Sequence, residues 1–134
     1  YYTKAFLGFL DNQYVKILLD KQGQVAAFGI AMHSLSTALQ RCRGRLFPFG
    51  FLGILRALKK NDRLDLLLTA VRQDLQNKGV NAVIINEIWK SAVKNGIKYA
   101  ETGPELETNE KVQSQWKHFA NRRHRRRRCF YKAI

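Results

Sequence analysis

The alternation of apolar and polar positions along the chain predicts short strands interleaved with helices. Apolar runs over residues 14–20 and 24–32 flank a turn that contains Gly23, a pattern that is typical of a β-hairpin. Residues 63–71 are almost continuously apolar, so we expect a central strand that is buried on both of its faces. Two further strands are predicted, over residues 97–101 and at the end of residues 124–131.

Helical spacing is clearest over residues 79–95. Apolar residues recur there every three or four positions, and the dipeptide Asn95-Gly96 provides a C-terminal cap. Further helices are predicted over residues 1–10, 34–43, 52–60 and 109–119. This order of elements predicts a mixed α/β domain, with a right-handed crossover between the two strands that flank the clearest helix. Residues 33–62 then form a helical insertion between two strands.

The size and composition of the chain fit one globular domain. Its 134 residues are 46% hydrophobic and 25% charged, which excludes a disordered or fibrous chain and predicts a single domain over residues 1–134. No apolar run is long enough to span a membrane, and no secretory signal pattern opens the sequence. Cys42 and Cys129 lie far apart and lack metal-ligand spacing, so we expect reduced thiols, no metal site and a cytoplasmic location. Because Tyr1 is not a methionine, we expect the chain to be a piece of a longer protein.

The chain is strongly basic. Its formal net charge is +14 and its isoelectric point is about 10.3. Six arginines lie within residues 122–128, and no acid follows them. Such a charge favours a polyanionic partner, which would be nucleic acid, an anionic membrane surface or a phosphate-rich cofactor. Charge alone leaves the choice among these three open.

The loop between the strand at 63–71 and the next helix has features of a phosphate site. Gly79 at the helix N-terminus lets an anion approach main-chain N–H groups that have no partner within the helix. Arg72 and Lys78 add positive charge to this loop. The loop matches neither the P-loop nor the dinucleotide fingerprint, because it contains one glycine rather than three. A plain strand-to-helix turn is the alternative interpretation.

A central stretch resembles the GNAT superfamily of acyl-CoA N-acyltransferases, and it reads LLLTAVRQDLQNKGVNAVIINEIWKSAVKNGIKYAET. The usual motif of that superfamily is Arg/Gln-x-x-Gly-x-Gly/Ala. Gln76 and Gly79 match it, whereas Asn81 stands where glycine or alanine is expected. The resemblance covers about residues 14–119 and is strongest over 63–101. The strings GRLFPFGF, PELETNEKVQSQW and RRRRCFYK resemble the C-terminal half of a bacterial family that is built from two GNAT-like domains.

The resemblance implies a GNAT-like mixed sheet flanked by helices, with acetyl-CoA bound between the ends of the strands at 63–71 and 97–101. It implies that loop N–H groups hold the diphosphate of coenzyme A, and that the strand edge pairs with the pantetheine amides as an added strand would. The residues implied to bind the cofactor are Leu68, Ala70, Val71, Arg72, Gln76, Asn77, Lys78, Gly79, Val80, Asn81 and Asn109. The implied reaction is direct transfer of the acyl group to an amine acceptor, and an upstream GNAT-like half of the same chain is an expected partner.

A second position, besides Asn81, departs from the pattern of the superfamily. The helix that begins near Asn109 often carries a tyrosine there, placed to protonate the departing thiolate, and Trp116 stands at that position in this chain. An indole N–H donates hydrogen bonds but gives up no proton at neutral pH. We therefore expect an active N-acyltransferase without the usual general acid. A coenzyme A-binding domain that lacks catalysis is the alternative.

Four of the ten acids, Glu101, Glu105, Glu107 and Glu110, cluster within residues 101–110. Glu101 at the end of a strand is the predicted general base, acting directly or through water. Asp65 is a weaker alternative base. Glu107 and Glu110 have a second interpretation, because acids complement the positive N-terminus of a helix. His33 is expected to be a turn residue rather than a catalyst.

The arginine run also has two interpretations. Such a run is typical of a nucleic-acid or other polyanion patch. It leads, however, into the strand-like residues Cys129, Phe130 and Tyr131, and the resembled family has a terminal strand at this position. Arginines on an edge strand discourage pairing with other chains. We therefore favour a charged hairpin here over a nucleic-acid site and expect no membrane partner. A basic module that binds nucleic acid or another polyanion is the alternative.

Overall fold

The computed structural model describes residue 8 and residues 10–132. The helix predicted over residues 1–10 thus lies almost wholly outside the described residues. The helices and strands are β1 (Val15–Leu19), β2 (Val25–His33), α1 (Ser36–Arg41), α2 (Gly50–Lys59), β3 (Arg63–Val71), α3 (Val80–Lys94), β4 (Tyr99–Thr102) and α4 (Glu110–Ser114). They divide into two compact units, one up to Gly103 and one from Pro104.

The first unit contains a mixed sheet with the strand order β1-β2-β3-β4. The pairs β1/β2 and β2/β3 are antiparallel, whereas β3/β4 is parallel with α3 as the connecting helix. The predicted β-hairpin, the mixed α/β class and the parallel pair joined by a helix are confirmed. The hairpin turn is fixed by Asp20, whose Oδ1 accepts hydrogen bonds from the main-chain N–H groups of Gln22 and Gln24, both at 2.9 Å.

The core lies between the sheet and α3. Its buried residues are Tyr14, Ala27, Ala31, Leu64, Ile84, Ile88 and Ala92. Helix α3 lies close to β2 because Gly29 has no side chain. A Cβ built on Gly29 would stand 2.9 Å from Ile88 Cδ1 and closer still to Ile84 Cγ2. The predicted bounds of this helix are confirmed, since Gly79 is its N-cap and Asn95 its C-cap.

The prediction that β3 is buried on both faces is wrong. Among its residues only Leu64 is buried, and Leu68 is 61% exposed. Helix α3 covers one face of the strand, and β4 pairs with only its first four residues. The apolar residues after Leu66 therefore gain little cover from the part of the chain that the structure describes.

The insertion after β2 is helical, as predicted, but its first helix begins later than expected. Ser34 opens the predicted range but precedes the helix, and its Oγ accepts a 3.4 Å hydrogen bond from the N–H of Ser36, the first residue of α1. Gly44 follows this helix with a φ of +73°, and its N–H donates to the carbonyl of Leu39. Glycine tolerates this conformation without strain, so Gly44 suits the turn that follows the helix.

The second unit contains α4 and a 3-10 turn, Gln115–His118. Residues 120–132 have neither helical nor strand conformation, so the strand predicted within 124–131 is wrong. A strand needs a neighbouring strand to pair its main-chain groups, and the described residues of this unit contain none. No described helix is both long and apolar enough to cross a membrane.

Candidate functional site

The candidate site begins where β3 and β4 part. Their pairing runs from Arg63 opposite Tyr99 to Leu66 opposite Thr102, and β4 ends there. Strand β3 continues to Val71 with β2 on one side and no described strand on the other. Its last five residues therefore present an open edge on the side where β4 has ended.

The register with β2 shows which main-chain groups point to this open edge. The N–H of Arg72 donates to the carbonyl of Ala26 at 2.9 Å, so Arg72 faces β2. Antiparallel strands alternate hydrogen-bonded and non-hydrogen-bonded pairs. The register therefore turns the main chain of Leu68 and Ala70 toward β2, and that of Thr69 and Val71 toward the open edge. Sequence reasoning named Leu68, Ala70 and Val71 but missed Thr69, because only the register reveals the alternation.

The open edge leads into the loop that precedes α3. The side chain of Gln76 reaches back from this loop to the end of β3, where its Nε2 donates to the carbonyl of Val71 at 3.3 Å. Asn77 and Gly79 both have positive φ, at 61° and 77°. Within the described residues, four consecutive main-chain N–H groups have no acceptor, and they belong to Asn77, Lys78, Gly79 and Val80. Asn81 follows in the first turn of α3.

This loop is suited to an anion. Unpartnered N–H groups at the start of a 15-residue helix carry the positive end of its dipole. A Cβ built on Gly79 meets nothing within 4 Å, so there is open space in front of the glycine. Lys78 is exposed beside it and adds a full charge. The residues present thus fit a diphosphate group.

Arg72 has a different environment from Lys78. Its guanidinium forms ion pairs with Asp20 and Asp74, both at 2.7 Å. Arg72 holds the pKa of each of these carboxyls below its usual value, mainly through the hydrogen bonds that it donates. The arginine therefore ties the β1–β2 turn to the end of β3, and two carboxylates already balance its charge.

Two acids lie side by side on β3 and β4. Asp65 and Glu101 are register partners, and both are half-buried. Burial raises the pKa of Asp65, the nearby Glu101 raises it further, and a hydrogen bond with Ser34 lowers it. The predicted base, Glu101, thus has a second carboxyl beside it at the place where the strands begin to diverge.

The remaining predicted residues lie in the second unit. Asn109 is the N-cap of α4, and its Oδ1 accepts a 3.3 Å hydrogen bond from the N–H of Val112. The indole N–H of Trp116 donates to Glu105 Oε1 at 2.8 Å. The side chain at the position of the expected tyrosine is therefore held by a carboxylate.

His33 does not lie in a turn, so that prediction is wrong. It is the last residue of β2, is 7% exposed and packs edge-on against Tyr14, with ring centroids 5.3 Å apart. Burial lowers its pKa. It lies at the end of β2 opposite to the loop that precedes α3. The described residues contain no group of three His, Cys, Asp or Glu side chains that could hold a metal ion.

Comparison with solved structures identifies the architecture. The BH1408 protein from Bacillus halodurans, solved as a tetramutant, has a TM-score of 0.61 and 10% sequence identity, over 96% of this chain and 73% of that one. An aminoglycoside N-acetyltransferase, AAC(6')-Iy in complex with CoA, has a TM-score of 0.52 and 15% identity, over 90% of this chain and 77% of that one. The chain therefore has a mixed α/β, GNAT-like fold.

A third solved structure agrees with this GNAT-like fold. The aminoglycoside acetyltransferase meta-AAC0020, from an uncultured soil metagenomic sample and in complex with trehalose, has a TM-score of 0.53 and 7% identity, over 98% of this chain and 74% of that one. No protein-family model and no curated protein sequence matches the chain. The likeness at these low identities therefore concerns the fold, and the site is argued from the residues of this chain.

Proposed function

We propose that this chain is an acyl-CoA-dependent N-acyltransferase domain that uses acetyl-CoA and an amine acceptor. The observation that carries this proposal is the continuity of the site. The open edge of β3 is followed, after the short 3-10 turn Gln73–Leu75, by four unpartnered N–H groups at the start of α3. Coenzyme A has the matching order of groups, with amides in its pantetheine arm followed by a diphosphate.

The residues divide this binding task between them. The N–H groups of Asn77, Lys78, Gly79 and Val80 would hold the diphosphate, with Lys78 as the added charge. The outward main chain of Thr69 and the N–H of Val71 would pair with the pantetheine amides, as β3 pairs with a strand, because the carbonyl of Val71 already accepts from Gln76. Gln76 and Asn81 lie on either side of these donors and would line the diphosphate site. Arg72 would hold the loop in place through its ion pairs with Asp20 and Asp74. Bound acyl-CoA supplies a thioester that an amine can attack.

Glu101 is the proposed general base. It lies where the paired part of β3 and β4 ends, and a carboxylate at that position would take a proton from the amine directly or through water. A nearby negative charge also attracts a cationic amine to an otherwise basic chain. Direct transfer to the amine requires no nucleophile on the enzyme.

The likeness to two aminoglycoside acetyltransferases, one solved with CoA, supports both the cofactor and the amine class of acceptor. Asn109 as a further contact to the thiol arm and an upstream GNAT-like half of the chain remain predictions. A second candidate is a coenzyme A-binding domain without catalysis. It is favoured by Trp116, whose indole is bound to Glu105 where the superfamily often uses an acidic phenol.

Isothermal titration of acetyl-CoA into the wild type and two variants tests the binding site. Gly79→Asp places a carboxylate among the proposed diphosphate donors, and we expect at least a tenfold loss of affinity. Gly96→Asp is the matched control, because Gly96 also has positive φ and open space and lies beyond the other end of α3. Equal affinities for the two variants would refute the assignment.

Release of free thiol in the presence of a panel of amines separates the transferase from the non-catalytic domain. We expect release with at least one amine and a large decrease in Glu101→Gln with unchanged affinity for acetyl-CoA. Binding without release for every amine would favour the second candidate. An unchanged rate in Glu101→Gln would reject this residue as the base.

A further inference from the structure

The end of the described chain carries a cationic and aromatic surface that the proposed transferase site does not use. Residues 120–132 have no regular secondary structure, and every one of them is exposed. We call residues 122–131 the basic segment. It contains six arginines and no acid, and it ends with two exposed aromatic residues, Phe130 (89% exposed) and Tyr131 (92% exposed).

Two of the six arginines contact the rest of the second unit. Arg126 forms a 2.8 Å ion pair with Glu107, and Arg123 donates a hydrogen bond to Gln113 Oε1. The other four have no ion pair or hydrogen bond within the described residues, and they are Arg122, Arg125, Arg127 and Arg128. From Pro104 onward the sequence has nine lysines and arginines against three glutamates, so little acid is available to neutralise them.

We propose that the basic segment binds single-stranded nucleic acid. Each free guanidinium presents a planar fork of donors that matches a phosphate group. Exposed aromatic rings beside a cationic strip are the other element of such sites, because unpaired bases stack on them whatever their sequence. The sequence argument against nucleic acid was an expected terminal strand. The described residues form no strand here, so that argument no longer applies.

The observations favour a single strand over the other polyanions. A duplex offers phosphates but keeps its base faces stacked, so Phe130 and Tyr131 would contribute nothing to binding it. An anionic membrane also attracts a polybasic segment, but stable anchoring needs a second, extended apolar contribution. The basic segment has no helix, and its large apolar side chains are these two rings.

The test measures fluorescence anisotropy of a labelled oligouridylate, with a duplex of equal length and with phosphatidylserine vesicles as the other two arms. Four phosphate contacts predict a slope of about −2.8 for log affinity against log salt, which is about a 50-fold loss between 50 and 200 mM salt. Replacing the four free arginines by glutamine should abolish this dependence. Replacing Arg41, Arg43, Arg45 and Arg56 by glutamine removes the same charge from the exposed surface of the insertion and should preserve it.

The contribution of the two aromatic rings to binding is tested with a double variant and a matched control. The double substitution Phe130→Ala and Tyr131→Ala should weaken binding of the single strand roughly fivefold or more for each ring, with little effect on the duplex. Phe47→Ala with Phe49→Ala is the control, because these rings are 82% and 74% exposed on another surface. Equal losses for both sets of variants, tighter binding of the duplex, or binding to vesicles alone would each overturn the proposal. Titration of acetyl-CoA into the arginine variant should be normal, which keeps this result separate from the transferase proposal.

Discussion

The contact between α3 and the sheet at Gly29 leads to a quantitative prediction. The substitution Gly29→Ala adds one methyl group at a point where the helix lies against the main chain of β2. The new carbon would stand 2.9 Å from Ile88 Cδ1 and nearer to Ile84 Cγ2, whereas carbon atoms prefer about 3.5–4.0 Å. Ile84 is branched close to its own main chain, so the helix itself must move.

Two effects of opposite sign determine the magnitude. Overpacking of a core costs about 1–3 kcal/mol, and replacing glycine by alanine within a strand returns about 0.5–1 kcal/mol. We therefore expect the free energy of unfolding to fall by about 0.5–2 kcal/mol. Gly53→Ala is the control, since Gly53 lies in α2 with nothing within 4 Å of an added Cβ. It should stabilise the protein by up to about 1 kcal/mol.

Urea unfolding followed by circular dichroism measures both variants. Ile84→Leu removes the branch that Gly29→Ala would strike, so the double variant should recover part of the lost stability. The coupling energy of the two substitutions should lie within about 0.5–3 kcal/mol. If Gly29→Ala is as stable as the wild type, or if Ile84→Leu adds its cost independently, the close packing of α3 on β2 is incorrect.

The remaining predictions concern two titrating groups of the first unit. Burial lowers the pKa of His33 from 6.5, so the unfolded chain binds this proton more tightly, and the free energy of unfolding should decrease as pH falls through 6.5. Urea unfolding at several pH values should show this slope in the wild type and in His118→Gln but not in His33→Gln; a slope that survives in His33→Gln would contradict the assignment. The pKa of Asp65 is raised from 3.8, so the folded state loses stability as pH rises through that value, and Asp65→Asn should be more stable than the wild type at pH 7. A less stable Asp65→Asn would mean that the ionised carboxylate is favoured where it lies.

The sequence predicts the elements whose ends are marked by residues of special conformation. The hairpin turn at Gly23 and the end of α3 at Gly96 both have positive φ, which glycine adopts without strain. The apolar spacing of α3 likewise reports its buried face, because Ile84, Ile88 and Ala92 recur at helical intervals. These features depend on neighbouring residues in the chain and can therefore be inferred locally.

The features that sequence reasoning missed depend on distant partners. Leu68 is apolar in either environment, and its exposure follows from where α3 and β4 end rather than from its own chemistry. A strand at the end of the chain requires a neighbouring strand, which no local pattern reveals. Arg72 adds charge in the sequence, but its partner Asp20 is 52 positions away.

The candidate site likewise contains residues that a local sequence signal predicts and residues that only distant pairing reveals. Gly79 and its N–H groups were predicted, because a glycine before an apolar helix is a local signal. The outward main chain of Thr69 depends on the register with β2, which shifts at a bulge where Ile30 pairs with Leu68 and Ala31 with Leu66. The extra residue of β3 at this bulge determines which main-chain groups face the open edge, and the bulge is visible only in the pairing of the two strands.

Nuclear magnetic resonance of the ¹⁵N-labelled protein, titrated with coenzyme A, shows residue by residue where the cofactor binds. We expect the largest shifts at the amide signals of Asn77, Lys78, Gly79 and Val80, followed by those of Thr69 and Val71. Shifts confined to the basic segment, or saturable binding that leaves the amides before α3 unmoved, would contradict the assignment of the diphosphate site.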